Sequence, residues 1–311
     1  QNGARPVKKV HGILREDVSV KYGRIKEWRK DYPVTALCRV LKVSESGYYA
    51  WVTRPPSPRN RENARLEQDI KASHQRTRET YGPSRLQRDL ADYGIFVGID
   101  RIKRIRRKLG LRCKQKRKFK ATTNSKHTLP VAPNLLAREF TVSVPNQAWV
   151  SDITYIPTAE GWLYLAGIKD LFSGELVGYA LNERMTKDLV IQALFRAVRN
   201  QKPKPGLILH SDRGSQYCAH DYQKVLVQFD MRPSMSRKGD CWDNSPMESF
   251  WGTLKNELVH HRQYSTRYQA KQEITEYIEI FYNRQRKQAR LGFLSPVAFT
   301  KQYFNKMMNV A

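Results

Sequence analysis

Three carboxylates stand out because of where the sequence puts them. Asp152 lies inside Trp149–Ile156, where Val150, Ile153 and Ile156 are apolar. Asp212 follows the apolar run Leu207-Ile208-Leu209, within His210-Ser211-Asp212-Arg213-Gly214. Glu248 opens a helical stretch that begins at Ser245, with 35 residues separating it from Asp212. Three carboxylates brought together repel one another and stay partly protonated unless a cation intervenes. Oxygen ligands suit Mg²⁺, with Mn²⁺ as a substitute. Two such ions, roughly 3.5–4 Å apart, can clamp the attacking and leaving oxygens of a phosphodiester displacement, with water or a DNA 3′-hydroxyl as nucleophile. Each residue also has a plainer reading. Asp152 could face solvent on an edge strand, and Asp212-Arg213-Gly214 could be a simple turn. Ser245-Pro246-Met247-Glu248 spells a capping box with proline in the first turn. Lys255 stands seven residues after Glu248, two turns on along the same helix face. There it either meets a phosphate or is an exposed lysine.

Positioning these groups requires a sheet. Trp149–Ile156, Trp162–Ile168 and Leu176–Leu181 read as strands, then Lys187–Arg199 as a helix with one apolar face. Leu207–Leu209 is short and wholly apolar, as expected at a sheet's buried centre. A helix over Tyr222–Phe229, a strand near Pro233–Ser236 and the helix from Ser245 complete the series. Three strands, helix, strand, helix, strand, helix is the pattern of an α/β domain with a mixed sheet flanked by helices. Catalytic groups gather at strand C-termini in such sheets, where Asp212 falls.

The rest of the chain is helical and basic. Two short helices around a tight turn are expected before Trp51, and Pro55, Pro56 and Pro58 form a stiff linker. A helix over Arg61–Arg76 is broken by Tyr81-Gly82-Pro83. Two more, marked by Leu86, Leu90 and Tyr93 and then by Ile102, Ile105 and Leu109, resemble a helix-turn-helix. The last carries Arg101, Lys103, Arg104, Arg106, Arg107 and Lys108. From Arg101 to Lys120, twelve of twenty residues are Lys or Arg. A charge run of this kind can be a solvated face. In a chain of 311 residues with formal net charge +27, DNA is the stronger expectation. Phosphate contacts alone would account for the charge, so base readout stays open. No run of 18 apolar residues exists, and no lipidation or signal motif supports a membrane partner. Cys38, Cys113, Cys218 and Cys241 form no C-x-x-C pair, which fits a reducing cytosol better than a zinc or disulfide framework.

The motifs resemble the retroviral-integrase-like transposases of insertion-sequence family three, whose catalytic residues are Asp, Asp and Glu. The matching text is Ser151–Ile156, Gly161–Leu165, Asp170–Ser173, His210–Tyr217, Asp243-Asn244, Met247–Phe250, Tyr282-Asn283, Arg286, Leu291-Gly292 and Ser295-Pro296. The helical modules match from Cys38–Leu41 through Ser46–Tyr49 to Tyr81-Gly82. This resemblance implies a ribonuclease H-like fold preceded by helix-turn-helix-type modules. It implies a catalytic and metal-binding triad of Asp152, Asp212 and Glu248, two Mg²⁺ per site when DNA is bound, and DNA contact by Lys255. It further implies double-stranded DNA as partner, both element termini and target, and at least a dimer on DNA in the bacterial cytoplasm and nucleoid. A frameshifted product is also implied, and the first methionine at Met185, with Gln1 at the start, fits that arrangement. Two positions depart from the family pattern. Gln288 stands where His is usual, keeping hydrogen bonds but losing titration, and Gly174-Glu175 stands where basic residues are common.

The expected organisation is a helical module at 1–54, a helix-turn-helix-like DNA-binding module at 55–112, a basic linker at 113–143 and a catalytic domain with C-terminal helices at 144–311. The expected function is metal-dependent cleavage and strand transfer at insertion-sequence ends. A non-catalytic DNA-binding regulator of the same element is the alternative, and a non-transposing nuclease on the same fold a third.

Overall fold

A computed structural model describes residues 13–114, 129–238 and 240–309. The chain divides into two compact units, 1–68 and 69–311. The first holds α1 (Val18–Trp28), α2 (Val34–Leu41) and α3 (Glu45–Thr53). Tyr22, Ile25, Leu37, Cys38, Leu41 and Tyr48 form its core. The turn between α2 and α3 was expected. Lys42 ends α2 in the left-handed conformation, and the Ser44 hydroxyl accepts from Gly47 N at 3.1 Å to cap α3. A Cβ at Gly47 would stand 2.3 Å from the Tyr22 hydroxyl, so only glycine admits that ring. Helix α1 was not expected. Its apolar residues are sparse and Gly23 interrupts them, so tertiary packing of Tyr22 and Ile25 supplies what periodicity does not.

Pro58 does not belong to the proline linker. It starts α4 (Pro58–Arg76), because proline's fixed φ and missing N–H cost nothing in a first turn. In the second unit α5 (Pro83–Ala91) and α6 (Ile99–Lys108) come next, with Leu86, Leu90, Ile102 and Ile105 buried. Gly94 and Gly110, at φ +75° and +66°, lie just beyond the two helices, as the sequence indicated. Asp89 is buried beneath them, accepting from the Ser73 hydroxyl at 2.6 Å and from Arg76. Residues 115–128, which include Lys116–Lys120 of the basic run and part of the expected linker, lie outside the described residues.

The sheet has order β3-β2-β1-β4-β5. Strands β1 (Ala148–Thr158), β2 (Gly161–Asp170) and β3 (Leu176–Asn182) form an antiparallel meander. Strands β4 (Ile208–Ser211) and β5 (Arg232–Met235) run parallel to β1. The mixed sheet is as expected, and β1, read as a possible edge, is its middle strand. Helix α7 (Lys187–Gln201) covers one face, burying Leu189, Val190, Ala193, Leu194 and Ala197. A Cβ at Gly178 would come within 2.4 Å of the Ala193 carbonyl oxygen, so glycine sets that spacing. The short α8 (Ser215–Cys218) and α9 (His220–Gln228) connect β4 to β5. Helix α10 (Ser245–Glu257) covers the other face through Met247, Phe250, Trp251 and Leu254. The C-terminal part comprises α11 (Arg267–Glu276), a π-helical stretch Tyr277–Gln285 and α12 (Pro296–Met308). Asn283 bonds both the N–H and the carbonyl of Leu176, at 3.0 and 3.1 Å, and so pins the start of β3.

Candidate active site

Strand pairing carries two of the three carboxylates to one level. Val150 of β1 pairs with His210 of β4 in parallel register, so Asp152 and Asp212 each lie two residues beyond that pair. Parallel neighbours run about 4.8 Å apart. Asp152 Oδ1 accepts from Ile153 N at 2.8 Å, and Oδ2 from the Trp251 indole Nε1 at 3.0 Å. Asp212 Oδ1 accepts from Gly214 N at 2.9 Å, so the expected turn is real and sits at the end of β4. Burial, reinforced by the charges of Asp212 and Glu248, pushes the Asp152 carboxyl well above the usual carboxylate range. The Tyr217 hydroxyl, which shares a hydrogen bond with Ser151 at 3.0 Å, is raised by burial and by the fields of Asp152 and Asp212.

The third carboxylate comes from α10. Asn244 is the N-cap of this helix and makes no side-chain capping bond, so the capping box read at Ser245–Glu248 does not form. Instead Asn244 Nδ2 donates to Ser151 O at 3.0 Å and fixes the helix start beside Asp152. Glu248 is half-buried in the first turn, and burial raises its carboxyl. Its place one turn before Trp251, which bonds Asp152, puts Glu248 on the flank of the same recess. Among the described residues, no three His, Cys, Asp or Glu side chains converge closely enough to form a ready-made metal cluster. N–H donors occupy oxygens of both aspartates.

Lys255 is 5% exposed, which removes the exposed-lysine reading. Its ammonium lies 4.7 Å from the centre of the Tyr155 ring. Burial lowers it to about 8, while the charge of Asp152 pulls it up. The α6 cations divide. Lys103, Arg104, Arg107 and Lys108 are exposed, Arg101 is half-buried, and Lys103 pairs with Asp100 at 3.0 Å. Arg106 points inward and donates to Cys113 Sγ at 3.1 Å.

Sequence reasoning assigned no role to Trp251, Asn244 or Asp243. Asp243 is fully buried and accepts from Arg237 and Arg138, at 2.7–3.0 Å, and from Asn134 at 3.0 Å. The Arg237 side-chain bond, above all, holds it below the usual carboxylate range. It braces the segment leading into α10. The available signal was the pair Asp243-Asn244 itself, a charged and a polar residue directly before a helix.

The sequence matches known families and proteins. Residues 143–241 and 248–304 match family models described as Integrase core domain, and residues 60–119 match an HTH-like domain. The chain is 60% identical to an insertion element IS600 31 kDa protein of Shigella sonnei, over 86% of this chain and 98% of that one. It is 39% identical to transposase InsF for insertion sequence IS3A of Escherichia coli K12, over 90% of this chain and 98% of that one. Among solved structures, the catalytic core of HTLV-2 integrase in complex with magnesium aligns with 50% of this chain and 97% of its own, at 16% identity and a TM-score of 0.40. The integrase-core match and the sheet order 3-2-1-4-5 give a ribonuclease H-like domain.

Proposed function

The chain belongs to the IS3-family transposases, integrase-core enzymes that cut and join DNA, and from that premise we propose that Asp152, Asp212 and Glu248 are its catalytic and metal-binding carboxylates. The observation that carries this reading is the register of β1 and β4, which levels the two aspartates beneath the helix bearing Glu248. The donor set fits a hard divalent cation, since it is all carboxylate oxygen, half-buried and self-repelling. When bound, Mg²⁺, replaceable by Mn²⁺ and present as two ions on DNA, supplies charge stabilisation at the attacked phosphodiester. The chain's own residues position and exclude. Trp251 and Asn244 hold Asp152 and its strand, and Lys255, beside Asp152 in a partly desolvated position, grips a phosphate oxygen of the DNA. In this reading the modules at 1–54 and 55–112 bind element ends, chiefly through the exposed α6 cations Lys103, Arg104, Arg107 and Lys108 with Arg101. Arg106 serves packing. The linker at 113–143 leads to the catalytic domain at 144–311. Two ends are processed by at least a dimer, in the bacterial cytoplasm. No helix among the described residues is long and apolar enough to cross a membrane. No observation favours the non-catalytic regulator.

The test is strand joining on an end-containing duplex with Mg²⁺, alongside binding in EDTA. Asp152→Asn, Asp212→Asn and Glu248→Gln should each abolish joined product while leaving binding intact. Wild-type joining by all three removes the triad assignment.

A further inference from the structure

A second polar recess, of about 530 Å³, lies on another flank of α10, within the second unit. Arg85 of α5, Lys114, Lys169 of β2, Arg286 and Arg290 line it, with Glu257 as the one acid. Glu257 is already engaged: Arg286 binds both its oxygens at 2.7–3.1 Å, and the Tyr277 hydroxyl donates to it at 2.7 Å. Among the described residues, Arg85, Lys114, Lys169 and Arg290 form no salt bridge, and Glu257, Glu79 and Asp170 act on Arg85, Lys114 and Arg290 only from a distance. Lys169 is 8% exposed, and its ammonium donates to the Pro246 carbonyl, at 3.0 Å, in the first turn of α10. Burial and the charges of Arg290 and Arg286 lower it to about 7. Such a set of like charges, with Lys169 buried among them, is costly unless an anion enters.

Two further features point the same way. Gln288, 9% exposed, also lines the recess, and its buried Nε2 makes no hydrogen bond of normal geometry, although the Tyr282 hydroxyl feels it. An amide donor without a hydrogen bond of normal geometry, beside four cations that form no salt bridge, suits an incoming acceptor. The hydroxyls of Ser249 and Thr253 add donors from α10. Gly174, at φ +72°, gives Arg290 its place, since a Cβ there would stand 1.9 Å from Nη2.

We propose that this recess is a second anion site, separate from the carboxylate centre, which seats one backbone phosphate of DNA between the helix-turn-helix-like segment and the catalytic helix α10. It rests on the reading that the chain works on DNA. The substrate is a polyanion, and the recess takes Arg85 from α5 and Lys169 from the sheet. One phosphate there ties end binding to the element that carries Glu248.

The experiment uses the full chain and an element-end duplex in EDTA, so the outcome does not depend on the catalytic triad. Affinity is measured across a salt series for the wild type, Lys169→Met and Arg290→Gln, with exposed Lys204→Gln as the charge control. One lost phosphate contact lowers the slope of log affinity against log salt by about 0.9, with roughly tenfold weaker binding at low salt. Lys169→Met and Arg290→Gln should each show this, and Lys204→Gln should not. Arg290 lies at the exposed rim, so its variant reports even if Lys169→Met folds poorly. Unchanged slopes in the pocket variants overturn the site. A second arm adds inorganic phosphate at constant ionic strength and follows melting. Stabilisation of the wild type but not of Lys169→Met, together with unaltered DNA binding, would assign the recess to free phosphate and overturn the DNA assignment. A slope drop equal to that of Lys204→Gln would reduce the effect to net charge and likewise overturn it.

Discussion

Gly167→Ala is the most incisive packing change near the carboxylates. Gly167 of β2 pairs with Asp152 of β1 on the face covered by α10. A Cβ there would stand 2.8 Å from Trp251 Cη2 and 3.2 Å from Met247 Cε and Leu176 Cδ1. The methionine and leucine tips can yield. The indole is held at its other end by Asp152, at 3.0 Å, and ordinary contact requires it to retreat by about 1 Å. Overpacking of this kind costs about 1–3 kcal/mol. The same movement stretches the indole–carboxylate hydrogen bond, and about 1.4 kcal/mol of misplaced bonding slows strand joining about tenfold. Urea unfolding of the wild type, Gly167→Ala, Trp251→Phe and the double variant forms a cycle. A phenyl ring lacks the clashing atom, so Gly167→Ala should cost about 1–2 kcal/mol less in the Phe background. An equal cost in both backgrounds, or no cost in the wild type, would refute the close approach of strand and helix as the reason for glycine.

Buried charge has further consequences. His210, fully buried between Ser234 and Ser236, is lowered to about 4 by desolvation. The unfolded chain therefore binds more protons between about pH 4 and 6.5, and stability should rise by up to roughly 3 kcal/mol as pH climbs through that window. His210→Gln should flatten urea midpoints measured between pH 4.5 and 7, and an unaltered slope would exclude His210 as the titrating group. Asp243→Asn removes the charge that organises Arg138 and Arg237. Both guanidiniums are partly exposed, so the cost after screening is about 2–3 kcal/mol by thermal or urea melting, and a loss below about 0.5 kcal/mol would contradict the brace. Arg104→Gln and Arg107→Gln should each lower the salt slope of DNA binding by about 0.9 if these exposed side chains meet phosphates, and a flat response would place the DNA elsewhere.

The sheet was legible because its strands carry simple signals. The apolar residues Val150, Ile153 and Ile156 and the short apolar run ending at Leu209 marked β1 and β4, and acids beside such strands suggested chemistry. Helix α1 was hidden because Gly23 and its charged neighbours dilute the apolar stripe. The proline cluster divides in a way that composition alone does not reveal: Pro58 is a helix starter, a role set by the helix-forming residues after it. Local spelling also misled at Ser245. A capping box was written there, but the turn before it hands the N-cap to Asn244, whose side chain is drawn to Ser151 O. Trp251 could not be found as a partner of Asp152, since the bond joins residues 99 apart and depends on the approach that Gly167 permits. Helical spacing left Lys255 open between a phosphate contact and an exposed lysine and set Arg106 among the basic face, and neither the burial of Lys255 nor the Arg106–Cys113 contact could be read from spacing.

The most direct measurement is of divalent-cation binding itself. Mn²⁺ bound by the DNA-loaded chain can be counted by electron paramagnetic resonance, without reliance on turnover. The carboxylate assignment predicts about two ions per site in the wild type, and fewer in Asp152→Asn, Asp212→Asn and Glu248→Gln at unchanged DNA occupancy. Equal Mn²⁺ uptake by all four proteins would contradict it.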